Sequence, residues 1–275
     1  MTYRQLINEL GDILDQLGEE KDALIFAFKE KKGWSTTDFA LKQAREVMLE
    51  DQTLLEDIFE HLKAHKPVQH YLGYAYFKEL TLAVSSNVLI PRPETEELVD
   101  LILSENDSQP LRVLDIGTGS GAIALALKAE RPDWDVTGVD ISEAALEIAR
   151  SNGKKLGLSI EWLHSDVFSQ VSGKFDIIVS NPPYISEKDS HEVGINVLSH
   201  EPHQALFAND DGYAIYQQII QKAPDFLVET GQIYFEIGYK QGKKVKEMLK
   251  KAFPERQASV LKDIFGKDRM VVLGK

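Results

Sequence analysis

The chain has 275 residues, 43% of them apolar, which is enough to bury the core of one large domain or two small ones. It contains no cysteine, which excludes disulfides and thiolate sites, and its seven histidines show no metal-site spacing, so we predict no metal. The formal charge of −13 would repel a phosphate backbone, so we expect a basic protein rather than nucleic acid as the partner.

The first 65 or so residues carry apolar side chains at helical spacing, which predicts a small helical bundle. The predicted helices cover residues 4–17, about 20–30, 37–49 and 53–65. Suitable N-caps are Thr36 or Thr37 for the third helix and Asp51 or Thr53 for the fourth, and the stops are Gly33 and Pro67. The pattern leaves open whether this bundle binds a partner or shields the domain that follows.

A β-hairpin is predicted next, with strands at 76–84 and 88–90 around a turn at 85–87. Residues 91–95 then start a helix, since proline and glutamate are favourable in a first helical turn. Its apolar face is Leu98, Val99, Ile102 and Leu103.

After a polar spacer at 104–110, strand and helix patterns alternate, which predicts a parallel, doubly wound sheet. The strands are expected at 112–116, 135–140, 160–163, 175–180, 232–237, 258–261 and 270–273, and the helices at 122–129, 143–155, 213–228 and 240–252. A long polar loop is expected at 181–211. The last two strands are separated by residues too few for a crossover helix, so one of them should run antiparallel.

A glycine-rich turn, Gly117-Thr118-Gly119-Ser120-Gly121, follows the first of these strands and opens a helix. Its glycines allow close backbone approach, and its amides can meet a ligand. The spacing differs from the G-x-G-x-x-G of dinucleotide enzymes, which disfavours a dehydrogenase.

Acidic residues end the neighbouring strands and suit an adenosine ligand. Asp140 can accept both ribose hydroxyls, while Asp166 can accept from the adenine amino group and Phe168 can stack on the ring. Asp115, at the end of the first strand, is placed to meet a cationic amino-acid head group.

The segment Asn181-Pro182-Pro183-Tyr184 ends a buried-type strand, where open α/β sheets bind their ligands. Its prolines fix φ and donate no hydrogen bond. The Asn181 side-chain oxygen and the Pro182 carbonyl could therefore accept both hydrogens of a planar NH₂ group while the Tyr184 ring stacks on it. The predicted substrate group is an amide or an exocyclic amine.

These motifs together resemble the class I S-adenosylmethionine-dependent methyltransferases, and more narrowly the release-factor glutamine N5-methyltransferases. Further marks of that family are Pro67-Val-Gln-His-Tyr-Leu-Gly73, Leu89-Ile-Pro-Arg-Pro-Glu-Thr-Glu96, Glu201-Pro-x-x-Ala-Leu206 with Asp211-Gly212, and Glu236-Ile-Gly238. His70 and the segment 207–209 depart from the family pattern, but both lie outside the Asn-Pro-Pro-Tyr motif.

The resemblance implies an α/β fold with a Rossmann-like, seven-stranded methyltransferase sheet, preceded by the helical bundle and the hairpin. The expected domains are 1–73 for substrate recognition, 74–92 as the linker and 93–275 for methyl transfer. It implies S-adenosyl-L-methionine as cofactor, S-adenosyl-L-homocysteine as product, and the glutamine of the Gly-Gly-Gln loop of peptide-chain release factors as substrate. Within this site, Asn181, Pro182 and Tyr184 would be catalytic, Asn181 to Tyr184 would bind substrate, and Asn181 would also touch the cofactor.

Since no segment approaches the roughly 18 apolar residues of a membrane span and the start lacks a signal-peptide pattern, we expect a cytoplasmic protein without membrane contact. We separately expect a monomer. The alternative activity is an adenine N6 or guanine N2 methyltransferase, because the same motif can hold a flipped base. The charge of −13 and the absence of a basic recognition domain disfavour it. A catalytically silent adenosine-binding module is a further alternative.

Overall fold

The computed structural model describes residues 1–106 and 109–274. The chain divides into two compact units, Met1–Tyr74 with Val193–His200, and Ala75–Glu192 with Glu201–Lys275. Residues 107 and 108 of the predicted spacer lie outside the described residues.

The chain begins with helices and continues with strands and helices interspersed. The helices are α1 (Tyr3–Gln16), α2 (Lys21–Lys32), α3 (Thr36–Lys42), α4 (Leu49–Lys63), α5 (Val68–Leu72), α6 (Pro93–Glu105), α7 (Ala122–Glu130), α8 (Glu143–Leu156), α9 (Ile195–His200), α10 (His203–Leu206), α11 (Asn209–Gly212), α12 (Ala214–Phe226) and α13 (Gly242–Ala252). The strands are β1 (Tyr74–Phe77), β2 (Leu80–Ala83), β3 (Arg112–Ile116), β4 (Asp135–Asp140), β5 (Glu161–His164), β6 (Phe175–Ser180), β7 (Leu227–Glu236), β8 (Ala258–Lys262) and β9 (Asp268–Leu273).

The first unit is built on the apolar stripes of its helices. Leu14 of α1, Leu24 and Phe28 of α2, and Leu55 and Ile58 of α4 are fully buried together. Burying side chains of this size stabilises the bundle by about 1.5–3 kcal/mol each. The predicted helical bundle is confirmed.

Two predicted helix caps are wrong. Helix α3 is capped by Ser35, whose hydroxyl accepts from the Asp38 amide while the Asp38 carboxylate accepts from the Ser35 amide, each at 3.0 Å. This reciprocal pair satisfies two donors at once, which the threonines at 36 and 37 cannot do from inside the helix. The helix ends at Lys42 rather than at residue 49.

Helix α4 begins after Met48, and neither Asp51 nor Thr53 caps it. The Asp51 carboxylate is instead buried, where it accepts from the Tyr3 hydroxyl and pairs with the Lys32 ammonium at 2.5 Å. A buried carboxylate needs such partners, so Asp51 serves the bundle core rather than a helix end.

The hairpin is present, but its predicted register is wrong. Strands β1 and β2 form a two-stranded sheet, and the turn between them is at Lys78 and Glu79. Lys78 adopts a left-handed φ of 51°, and its amide donates to Glu96 at 2.9 Å. Residues 88–90 form no strand, because the Ile90 amide donates to the Glu201 carboxylate instead of to a β-ladder.

The main sheet has seven strands in the order β5-β4-β3-β6-β7-β9-β8. All neighbouring pairs are parallel except those of β9, which is antiparallel to β7 and β8. This confirms the predicted α/β class and its one antiparallel strand. Strand β3 lies between β4 and β6, so the strands before and after this point are added on opposite sides of β3. Such a reversal of strand order opens a crevice at the carboxyl ends of the strands.

Residues 181–211 are not the long loop that the sequence predicts. They contain a short 3-10 helix at Glu187–Glu192 and the helices α9 to α11. Each of these is six residues or fewer, too short to show hydrophobic periodicity.

Candidate functional site

A cleft of about 320 Å³ lies at the carboxyl ends of β3, β4 and β6. The sheet register brings its parts together, because Ile116 pairs with both Val139 and Ser180. The predicted site residues that line it are Gly117, Thr118, Gly119, Ser120, Asp140, Asp166, Asn181, Pro182 and Pro183.

The glycine turn forms one wall of the cleft. The amides of Gly117 and Thr118 both donate to the Val139 carbonyl at 2.9 Å. Gly117 and Gly119 have φ values of 73° and 56°, and a Cβ on either would meet no atom within 4 Å. The two glycines therefore supply the left-handed backbone and leave open space above it.

Gly121 has a different role from the predicted ligand contact. A Cβ there would lie 2.9 Å from the Trp162 ring and 3.0 Å from the Leu125 side chain. Gly121 does not line the cleft, and its lack of a side chain lets α7 pack closely on the neighbouring elements.

Asp140 lies in the cleft wall with both carboxylate oxygens already bonded to backbone amides. One oxygen accepts from Gly119 at 2.8 Å, and the other accepts from Ser142 at 2.9 Å. Each oxygen keeps a further lone pair, so the carboxylate can still accept the two hydroxyls of a ribose. Burial raises the pKa of Asp140, with the backbone bonds opposing that shift.

Asp115 is fully buried beneath the turn and does not line the cleft. Its Oδ2 accepts from the Thr118 hydroxyl at 2.6 Å, while its Oδ1 has no hydrogen-bond donor among the described residues. Burial raises the pKa of Asp115 to about 7. A cationic ligand group near this buried carboxylate would favour its ionised form.

The wall next to Asp166 differs from the sequence prediction. Phe168 is buried and stacks on Phe226 with ring centroids 4.4 Å apart, so it does not reach the cleft. Ile141 and Val167 supply the apolar surface instead. Val167 has a φ of 51°, a strained value for a β-branched residue, and no sequence pattern indicates it.

Asn181 and Pro182 both line the cleft, and each has an oxygen that accepts no hydrogen bond from the described residues. The Asn181 Nδ2 donates to the Thr95 hydroxyl at 3.1 Å, and the Asn181 Oδ1 is neither bonded to the described residues nor buried. The Pro182 carbonyl likewise accepts no bond from any donor in residues 1–106 or 109–274. We call the Asn181 Oδ1 and the Pro182 carbonyl oxygen the acceptor pair.

Tyr184 follows the acceptor pair in the chain and is not among the residues that line the cleft. Its ring is half-buried against the core beside Gly238, where an added Cβ would come within 3.2 Å of it. Its carbonyl accepts from the Gln241 side chain at 2.9 Å. The stacking of this ring on a substrate stays a prediction, since the ring is not among the residues that line the cleft. Burial raises the pKa of its hydroxyl.

Arg92 lines the cleft, and Glu201 lies buried next to it without lining the cleft; sequence reasoning left both residues without a role. The Glu201 side chain is 1% exposed, pairs with the Arg92 guanidinium and accepts from the Ile90 amide at 3.0 Å. A buried carboxylate with two donors holds residues 90–92 against the segment that begins at 201. Both residues belong to the family motifs, and no other feature of the sequence indicates that they are functional.

Neither a metal site nor a membrane-spanning helix is found in the described part of the chain. Within residues 1–106 and 109–274, no group of His, Cys, Asp and Glu side chains could hold a metal ion. No helix in the same ranges is long and apolar enough to cross a membrane.

Comparisons with known proteins agree with this geometry. Residues 95–209 match the Methyltransferase small domain family. The chain is 53% identical over 274 residues to the release factor glutamine methyltransferase of Streptococcus pneumoniae, covering 99% of this chain and 98% of that protein. It is 41% identical over 271 residues to the enzyme of that name from Enterococcus faecalis, covering 98% of each. Among solved structures, the ribosomal protein L11 methylase from Lactobacillus delbrueckii subsp. bulgaricus is 25% identical with a TM-score of 0.50, covering 67% of this chain and 80% of that one.

Proposed function

The chain belongs to the release factor glutamine methyltransferase family, and we propose that it methylates the side-chain amide nitrogen (N5) of the glutamine in the Gly-Gly-Gln motif of peptide-chain release factors. The observation that carries this proposal is the acceptor pair, because two free oxygens beside an adenosine-type cleft match the two N–H bonds of a carboxamide.

The cleft fits S-adenosyl-L-methionine on several counts. The open space over Gly117 and Gly119 admits a ligand close to the backbone, and Asp140 has lone pairs left for a ribose. Asp115 lies buried beneath the turn and does not line the cleft, so we propose that its negative charge favours a cationic amino-acid group through its electric field rather than by direct contact. When bound, this cofactor supplies an electrophilic methyl group on a sulfonium.

The residues of the chain must make an amide nitrogen reactive, since its lone pair is delocalised into the carbonyl. By accepting both N–H bonds, the acceptor pair would fix the nitrogen and direct its lone pair into the cleft. The same two oxygens would stabilise the positive charge that grows on the nitrogen as the new bond forms. No base is required before transfer, and the N-alkylated amide loses its proton afterwards.

Pro183 and Tyr184 would act through the backbone of this segment. Pro183 fixes its own φ, and the bond from Gln241 to the Tyr184 carbonyl anchors the end of the motif. We assign Tyr184 to holding the acceptor pair in place rather than to stacking on the substrate.

The division at 1–73, 74–92 and 93–275 is part of the proposal, with the N-terminal helices recognising the release factor. Its support is family membership over nearly the whole chain. We also propose that the enzyme acts as a monomer in the cytoplasm, where release factors function.

Incubation with methyl-labelled cofactor tests the function directly. Label should enter a purified release factor and should not enter the same factor with the Gly-Gly-Gln glutamine replaced by alanine. Label entering nucleic acid in place of the release factor would refute the proposal in favour of a base methyltransferase.

The acceptor pair is tested by Asn181→Ala. Loss of one preorganised group should lower kcat by about 10²–10³, as for an oxyanion-hole donor. The affinity for S-adenosylhomocysteine, measured by calorimetry in the same variant, should fall much less than kcat, because Asp140 and the glycine turn are untouched even though the Asn181 side chain is removed. Unchanged kcat on a full-length release factor would contradict the role of this side chain.

A further inference from the structure

A line of polar side chains runs from the acceptor pair into the protein interior. The Asn181 Nδ2 donates to Thr95 Oγ1 at 3.1 Å, and the Thr95 hydroxyl donates to Glu236 Oε2 at 2.6 Å. Thr95 and Glu236 are 5% and 2% exposed. We call Asn181, Thr95 and Glu236 the polar relay. Asn181 follows β6, Thr95 lies in α6, and Glu236 is the last residue of β7.

Glu236, the buried end of the relay, decides which group donates and which accepts in each of these hydrogen bonds. An ionised carboxylate can only accept, so the single hydroxyl hydrogen of Thr95 must be given to Glu236. Thr95 Oγ1 is then left with lone pairs alone toward Asn181. The amide must therefore present its NH₂ to Thr95, which leaves its oxygen for the cleft.

The alternative orientation of the amide is penalised by this arrangement. Turning Asn181 by 180° would set its Oδ1 against an oxygen that has no hydrogen left to give. It would also place an NH₂ group where the substrate NH₂ has to bind, so two donors would meet.

We infer that Thr95 and Glu236 are positioning residues that fix the Asn181 side chain with its oxygen toward the substrate amide. This inference rests on the proposed function of the acceptor pair. It also gives a role to the Pro-Glu-Thr and Glu-Ile-Gly motifs, which sequence reasoning left without one.

The surroundings of Glu236 make its charge sensitive to pH. Glu94 from α6, Arg269 from β9 and Tyr184 face it, and the Tyr216 hydroxyl of α12 donates to its backbone carbonyl at 2.7 Å. Burial raises the pKa of Glu236 to about 7, while the bond from Thr95 and the charge of Arg269 oppose that rise and the nearby Asn181 amide opposes it to a smaller extent.

When Glu236 is protonated, its own hydroxyl can donate to Thr95, and Thr95 is then free to donate toward Asn181. The direction of the relay is lost. At saturating concentrations of both substrates, kcat should therefore rise as the pH increases through about 7. In Glu236→Gln this rise should be absent.

Three single variants test the relay. Thr95→Val keeps the shape of the side chain and removes the hydroxyl, and Glu236→Gln keeps the shape and removes the obligatory acceptor; each should lower kcat by about tenfold or more. Thr95→Ser keeps the hydroxyl and should retain kcat within about threefold. Wild-type kcat in Thr95→Val, or an unchanged pH profile in Glu236→Gln, would overturn the inference.

A double-mutant cycle separates positioning from general damage to the fold. If Glu236 acts only through Asn181, adding Glu236→Gln to Asn181→Ala should lower kcat no further than about twofold. Full additivity of the two losses would show that Glu236 acts by another route.

A readout without turnover keeps this inference distinct from the proposed function. Hydrogen exchange of the Asn181 side-chain NH₂, followed by NMR, should be slow at pH 8 in the wild type and at least about tenfold faster in Thr95→Val. If release factors are not methylated, the exchange result still decides the relay. If methylation occurs but exchange is equal in both proteins, the relay fails while the function stands.

Discussion

Gly212 limits how far the Asn-Pro-Pro-Tyr segment can move, and Gly212→Ala should be far more damaging than its small size suggests. The added Cβ would lie 2.1 Å from the Tyr184 carbonyl oxygen and 2.8 Å from the Gln241 Nε2 that bonds to it. A carbon and an oxygen need about 3.2 Å or more, so one backbone segment must shift by about 1 Å.

The cost can be divided into two parts. Gly212 has a φ of 84°, and placing alanine there costs about 1 kcal/mol. Loss of the bond from Gln241 to the Tyr184 carbonyl adds about 1–3 kcal/mol. The free energy of unfolding should therefore fall by about 2–4 kcal/mol, and kcat should fall because the acceptor pair is displaced.

Gly266 is a matched control for this variant. Its φ of 78° is close to that of Gly212, but a Cβ there would meet no atom within 4 Å. Urea unfolding should show a loss of about 1 kcal/mol for Gly266→Ala with kcat unchanged. Equal losses of stability in the two alanine variants, with normal methylation by Gly212→Ala, would refute the argument.

Three further outcomes are expected. The pKa of Glu236 is raised from 4.5 in the unfolded chain to about 7 in the folded protein, so the free energy of unfolding of the wild type falls as the pH rises between these values. Glu236→Gln should therefore be more stable than wild type at pH 8, by up to about 3 kcal/mol at roughly 1.4 kcal/mol per pKa unit, and nearly equal to it at pH 4.5. Urea unfolding at both pH values measures this difference. Asp140→Asn should weaken S-adenosylhomocysteine binding by about tenfold or more in calorimetry, because one oxygen that now accepts becomes a donor facing a backbone amide. Gly138→Ala should lower the thermal midpoint by several degrees, since its Cβ would lie 2.4 Å from the Trp162 ring; an unchanged midpoint would show that the ring moves freely.

The parts of the fold that sequence reasoning found are those with local signals. Strand β3, the glycine turn and α7 are adjacent in the chain. An apolar run followed by glycines and then by helical spacing of apolar residues predicts all three from local sequence. Asn181 could be placed in the cleft because it ends a strand of the same parallel sheet, and the ends of such strands converge.

The parts that it missed depend on packing between distant segments. Thr95 and Glu236 are 141 residues apart, and no spacing rule indicates that the two side chains meet. Phe168 and Val167 are neighbours, and only the left-handed φ of Val167 decides which of them faces the cleft. The same holds for Tyr184, whose ring direction depends on the core beside Gly238.

The position of β9 has a consequence for synthesis on the ribosome. This strand follows β8 in the chain yet lies between β7 and β8, and it pairs Met270 with Glu236. A nascent chain that has not yet extruded residues 268–273 carries β7 with an open edge and has no Arg269 facing the Glu236 carboxylate. Strand β7 therefore gains its second neighbour, and Glu236 the charge of Arg269, only after the turns that follow β3 and β4 have left the exit tunnel.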